Sequence, residues 1–294
     1  MKKMLQRKAI TEGIMYLFFL LCGMVSILFV VIITGFMIQK GTPAFLEVGV
    51  IDFLFGKVWK PTHSTDPQFG IFPIILSSLY GTAGAVCLGV PIGVLMAIFL
   101  SKIAPPSVAT ILRSAVTLLA GIPSVVYGLI GAILLVPNVM KIFDLPYGFN
   151  LFSAIIVLAV MILPSIVSVS ETALKAVPRE YEEASLALGG SHMETVFKVS
   201  VPAARSGITA GIVLGIGRAL GEAMAVMMVA GNVANMPELF TSVAFLTTTV
   251  AKEMAYSSGL HRDALFSIAL VLLFFILVTN TIVNIFFKKE GHKR

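Results

Sequence analysis

Long apolar runs separated by short polar stretches dominate the chain. Between Gly13 and Ile38 there is no Asp, Glu, Lys or Arg, a pattern that a water-facing helix could not sustain. A helix needs roughly 20 apolar residues to cross a hydrocarbon core about 30 Å thick. The pattern predicts six such spans, at Ile14–Ile38, Ile71–Leu100, Ser114–Val136, Phe149–Ser170, Gly207–Val233 and Ala264–Phe287. The second is long enough to tilt or project into water, and Pro91 with Gly89 and Gly93 could kink it. Pro123 and Pro164 interrupt the third and fourth. Such breakers are tolerated in a bilayer where neighbours or cavities satisfy the freed backbone groups.

Composition agrees. Of 294 residues, 57% are hydrophobic and 12% charged, against about 25% charged in soluble globular chains. A soluble domain is excluded. Lys2, Lys3, Arg7 and Lys8 look like the start of a signal peptide, but the apolar run that follows is about twice the usual length and lacks an A-x-A-like exit. It reads as a retained first span. Cys22 and Cys87 lie inside apolar segments and read as small buried fillers, not as a disulfide or metal pair. The loops divide unequally. Fourteen Lys and Arg fall in both tails and in the loops after spans two and four, and six fall in the other loops. This asymmetry places both termini in the cytoplasm. The net charge of +6 suits cytosolic flanks better than a nucleic-acid surface.

Two external segments are substantial. Gln39 to Gly70 could hold a short interfacial helix, and Ala234 to Asp263 carries a Thr-rich run at Thr247–Thr249. The cytoplasmic segment from Glu171 to Arg205 is far longer than a turn between spans requires. Pro178 suits a helix start, Glu180, Glu182 and Glu183 suit its first turn, and Gly189-Gly190 suits its end. A second amphipathic helix is expected over Ser191–Val199, ending before Pro202. The pair forms either a solvated loop or a helix–turn–helix peg that docks on a soluble partner, with Glu183 as a charged anchor and Ala184, Ser185 and Ala187 allowing close approach.

The fifth span carries Arg218 and Glu222, four apart and hence on one helical face. Charges at that depth cost about 2–3.5 kcal/mol in lipid even on the lenient insertion scale, so they should face the bundle interior or an aqueous path. They form either an internal salt bridge or part of a path in which Arg218 attracts an oxyanion and Glu222 orients or neutralises it. Gly207, Gly211 and Gly215, then Gly217 and Gly221, form a packing seam for another helix. There is no G-x-x-x-x-G-K-[ST] loop and no metal-ligand spacing. ATP, if used, must bind another polypeptide.

The order Glu183-Ala184-Ser185, three residues, Gly189, nine residues, Val199-Ser200-Val201-Pro202 resembles the coupling signature of ABC importer permeases. It departs from E-A-A…G…I-x-L-P by small or apolar exchanges at Ser185, Val199 and Val201. Ala120 to Gly128, Gly217 to Glu222 and Ala230-Gly231-Asn232 resemble the phosphate branch of that family. So does the external stretch Asp52 to Gly56 with Trp59, Pro61, Phe69 and Gly70. The resemblance implies a type I importer (MetI-like) core of five helices, here spans two to six, with span one packed outside. It implies a homologous second permease, an ATPase dimer holding MgATP, an external phosphate-binding protein, and no cofactor on this chain. Arg218 and Glu222 would line the phosphate path, and Glu183, Ala184, Ser185, Gly189, Val199, Val201 and Pro202 would seat in the ATPase. The expected domains are 1–70 (tail, accessory span and external segment), 71–287 (core, with the coupling loop 171–205) and 288–294 (tail). A permease for sulfate or molybdate, or a non-transporting signalling or scaffold subunit, are the alternative readings.

Overall fold

The computed structural model describes residues 2–63 and 65–291. His292, Lys293 and Arg294 of the expected tail lie outside the described residues. The elements in chain order are α1 (Lys2–Val48), α2 (Val50–Phe55), the hairpin strands β1 (Trp59–Lys60) and β2 (Gln68–Phe69), α3 (Phe72–Ile98), α4 (Pro106–Gly121), α5 (Ser124–Ile130), α6 (Val136–Phe143) and α7 (Leu151–Lys175). They continue as α8 (Arg179–Ala187), α9 (His192–Thr195), α10 (Val201–Ala203), α11 (Arg205–Gly221), α12 (Met224–Val229), α13 (Leu246–Glu253) and α14 (Gly259–Gly291). Single π turns at Phe99–Ile103, Gly131–Leu135 and Val196–Ser200 extend α3, join α5 to α6, and join α9 to α10.

Among the described residues, five helices are long and apolar enough to cross a membrane, and the count is six if the pair His192–Ala203 and Arg205–Gly221, bent by 69°, forms one span. The all-α, six-span expectation therefore holds. α7 is the centre of the bundle: 61% of its apolar window is buried, against 0% for α1. Leu158, Ile162, Ile166 and Leu174 on α7 are fully buried.

Glycines set how closely its neighbours approach. A Cβ at Gly84, Gly89 or Gly93 of α3 would lie 2.7–2.8 Å from the side chains of Ile155, Ile162 and Ile166. On α11, Gly207 meets Ala173, Gly211 meets Ser170, and Gly215 meets Ile166 at 2.8 Å. The expected seam thus exists within the chain for these three. Gly217 and Gly221 do not belong to it. Nothing lies within 4 Å of a Cβ at either position, because they stand about 200–240° around the helix from Gly215, and it is Ala219 that continues the packed face onto Ile162 and Ile166.

The spans differ from expectation in four respects. α1 runs ten residues past Ile38, its outer half held on α14 by the Ser267 hydroxyl donating to the Gly41 carbonyl at 2.6 Å and by the Phe36–Phe266 ring pair. The third span is two helices. Pro123 drives Ile122 to an extended backbone (φ −71°, ψ 128°), so α4 ends at Gly121 and a new helix starts at Ser124. α3 and α7, by contrast, carry Pro91 and Pro164 within single helices. The fifth span ends at Gly221 instead of Val233. Cys22 and Cys87 are free and exposed on the outer faces of α1 and α3, not buried, since those faces meet the apolar slab and not the core.

Between α1 and α3, α2 forms a short helix and the hairpin folds over α13. The Trp59 indole donates to Glu253 Oε2 at 3.1 Å, and His261 Nε2 lies 2.9 Å from the same oxygen.

The seam makes a paired prediction. Gly215→Ala should destabilise the purified protein by about 1–3 kcal/mol through overpacking against Ile166, while Gly217→Ala should leave it as stable or slightly more so. The thermal midpoint, followed through the single tryptophan, measures both. Equal losses at the two positions would refute the seam.

Candidate substrate path and coupling loop

Arg218 stands in the last turn of α11, half-buried. There the helix ends inside the apolar slab, and a cation complements the exposed carbonyl end of the helix dipole. Its Nη1 reaches Ser165 Oγ of α7 at 3.4 Å, and it lies within electrostatic range of Tyr127.

Glu222 is not on the same helical face. It follows the end of α11 with an extended backbone (φ −74°, ψ 125°), and no Arg218–Glu222 ion pair forms among the described residues. Glu222 Oε1 instead accepts from the Ala225 amide at 3.0 Å, capping α12. Its carbonyl accepts from Thr247 Oγ1 of α13 at 2.7 Å. The two residues are brought to one break, but with separate partners.

The third span breaks in the same region. The Leu119 carbonyl, which Pro123 offers no N–H, accepts from the Ile122 amide at 3.3 Å and from the Tyr127 hydroxyl at 2.7 Å. α5 packs on α12, and a Cβ at Gly128 would lie 2.8 Å from Ala225 Cα. Two unwound segments, one guanidinium and three hydroxyl side chains therefore gather around the last turn of α11. Unwound backbone survives at membrane depth only where it is protein-lined or faces a water-filled cavity. Ser165 carried no signal in the sequence, since isolated hydroxyls in apolar runs are common, and Tyr127 and Thr247, though in stretches that stood out, carried none that pointed to Arg218.

The segment between α7 and α11 folds into two short helices around a tight turn, with the outline of a peg. α8 starts after Pro178, with Glu180 and Glu182 in its first turn. Gly189 closes it at φ 89°, a conformation costly for any residue with a Cβ. Ser191 and Glu194 form a reciprocal capping box on α9. Lys198 and Ser191 bring the Glu194 carboxyl down to about 2. Ser185 Oγ and Thr195 Oγ1, 2.9 Å apart, tie the helices together. The second helix does not stop before Pro202. It continues through the π turn to Ala203, since a proline in the first turn of a helix loses no bond, and α11 then departs at 69°.

Among the signature residues, Glu183, Ala184, Gly189 and Pro202 are exposed, while Ser185, Val199 and Val201 are partly covered. The paired carboxylate is the neighbour, Glu182, bonded to Lys102 and to Ser200 Oγ. Partial burial pushes this carboxyl up, but the bonds from Lys102 and Ser200 outweigh it and hold it below the usual carboxylate range. A second ion cluster joins α4 to α7: Arg113 and Lys175 lie 2.7 and 2.6 Å from the buried Glu171. In the sequence Glu171, Glu180, Glu182 and Glu183 were indistinguishable by type.

Residues 89–289 match the family described as binding-protein-dependent transport system inner membrane component. The chain is 40% identical over 257 residues to the probable ABC transporter permease protein YqgH of Bacillus subtilis (strain 168), covering 86% of this chain and 83% of that one. It is 34% identical over 265 residues to the phosphate transport system permease protein PstC of Pasteurella multocida (strain Pm70), covering 82% of each. Its fold is similar to an inward-facing structure of the MetNI methionine ABC transporter, with a TM-score of 0.54 at 19% identity over 75% of this chain and 94% of that one. With a MetI-like helical core and a family model spanning two thirds of its length, the chain belongs to the binding-protein-dependent ABC importer permeases, the membrane-spanning components that work with a separate ATPase.

Proposed function

We propose that this chain is a PstC-type permease subunit of an ATP-driven inorganic phosphate importer. The observation that carries the reading is Arg218, a half-buried guanidinium where two broken spans meet. A planar fork of donors suits an oxyanion, and unwound backbone beside it suits a hydrated path more than a packing seam. With a 3.4 Å contact to Ser165 and no carboxylate partner among the described residues, Arg218 has donor capacity to offer a passing phosphate. Glu222 serves that path by holding the break open as the cap of α12. The similarity to PstC proteins adds weight to phosphate; sulfate or molybdate is the second reading.

The partners follow from the same reading: a homologous second permease (PstA-like), an ATPase dimer (PstB-like) that binds MgATP, and an external binding protein (PstS-like). The peg would seat in the ATPase through Glu183, Ala184, Ser185, Gly189, Val199, Val201 and Pro202. Tyr181, Leu188, Met193 and Phe197 are exposed around it, an apolar set on a polar loop that a partner would cover. Both termini lie in the cytoplasm, residues 71–287 form the core, and 1–70 and 288–294 flank it. Alternating access moves the anion: ATP-driven closure displaces the peg, and the spans reorient from an outward-open to an inward-open path.

Uptake into proteoliposomes carrying the whole complex tests this. ATP-dependent phosphate uptake should resist excess sulfate and molybdate; competition by either moves the substrate assignment to that anion. Arg218→Ala should lower uptake at least about tenfold, the worth of one charge-assisted hydrogen bond, and Arg218→Lys should recover part of it. Normal uptake by Arg218→Ala would remove this residue from the path. Glu222→Gln retains an acceptor for the Ala225 amide and should keep most activity, whereas Glu222→Ala should lose it together with about 1 kcal/mol of stability. Equal loss in both variants would instead assign the role to the charge.

A further inference from the structure

The peg is not fixed to the bundle by apolar packing from its first helix, since α8 buries no residue. The segment after α9 does pack, Val196 lying in one apolar cluster with Ala97, Ile98 and Leu174, but α8 is held by polar bonds, and they converge. Lys102 sits in the π turn that closes α3, its side chain 12% exposed. Glu182 of α8 takes its ammonium. His192, the first residue of α9, bonds the Lys102 carbonyl through Nε2 at 3.0 Å, a carbonyl in the final turn of its helix where no intrahelical N–H follows. Both helices of the peg therefore grip one residue of the second span, one by its side chain and the other by its backbone.

Glu182 also reaches the other way. The same Oε1 accepts from Ser200 Oγ at 2.8 Å. Ser200 is fully buried, and its carbonyl accepts from Ala204, where the chain bends by 69° into α11. One carboxylate thus joins α8, the end of span two and the entry to span five. Its neighbour Glu183, turned about 100° around the helix, is exposed.

We propose that Glu182 is the positioning residue that delivers the ATPase-driven displacement of α8 to two spans at once, to α3 through Lys102 and to α11 through Ser200. This rests on the coupling role proposed above. Glu183 and Glu182 then divide the work: one faces the motor and the other the membrane helices. A helix with no buried side chain would slide or turn under load if nothing tied it; Ser185 ties α8 to α9, and the Lys102–Glu182–Ser200 chain ties it to the ends of spans two and five. Glu182 acts through these residues and touches neither anion nor nucleotide.

The test is the number of ATP molecules hydrolysed per phosphate imported by the reconstituted full complex, with ATPase retention on the permease pair measured in parallel. Glu182→Gln should raise that ratio about fivefold or more, the size of a typical coupling free energy, with the ATPase still bound. The exchange Lys102→Glu with Glu182→Lys should recover much of the loss that either single change produces. A merely structural role would lower hydrolysis and uptake together at an unchanged ratio, and that result overturns the proposal. Where Glu182→Gln does not assemble, an exchanged pair that assembles with the ratio still raised overturns it, and one with a restored ratio supports it. If wild-type uptake ignored ATP, the coupling reading would fall and take this proposal with it; an unchanged ratio against an ATP-dependent wild type removes the proposal alone.

Discussion

The bundle depends on how closely two helices can approach a third. Ile166 of α7 is held between Gly93 of α3 and Gly215 of α11, each so near that a Cβ would lie 2.8 Å from it. In an apolar slab there is little hydrophobic drive for helices to associate, so shape complementarity of this kind carries the packing. With α7 held on both sides, α3 and α11 become the elements whose ends are placed reproducibly. Those ends bear Lys102, in the π turn that closes α3, and Arg218, at the break of α11. The peg and the candidate path are therefore both referred to the same central helix.

The two broken spans show how backbone is satisfied without a helix ladder. Tyr127 takes a carbonyl of α4, Thr247 takes that of Glu222, and Glu222 caps α12. Each is a side chain standing in for a main-chain partner. Side-chain rotation can exchange such bonds for water or for another acceptor without unwinding a helix, and an element that must pass between two arrangements benefits from that.

Much of this was legible in the sequence, and the illegible parts share a cause. Span number and type followed from runs too apolar for water. The peg followed from Pro178, the acidic turn and Gly189, all local signals. The end of α11 did not, because Gly217 to Glu222 contains no breaker that outweighs an otherwise continuous apolar run; the break is stabilised by Thr247, well downstream. Gly217 and Gly221 repeat the spacing of Gly207, Gly211 and Gly215 but on another face of the helix, and only the fold decides which face meets α7. Glu182 and Glu183 are adjacent and alike in type, and only the position of Lys102 separates the braced carboxylate from the exposed one. Local chemistry was readable, while partners distant in the chain were not.

α1 carries a consequence of another kind. Its apolar helix from Met15 to Val48 has 34 residues, about 50 Å at 1.5 Å per residue, against a hydrocarbon core of about 30 Å. Its fastening to α14 lies in the outer half, at Phe36 and Gly41, and α2 with the hairpin follows directly. The surplus length makes α1 a stilt as well as an anchor. A helix with that surplus must tilt or project beyond the hydrocarbon, so a thicker or thinner membrane would change how far the end of α1, and with it the start of α2, stands clear of the lipid.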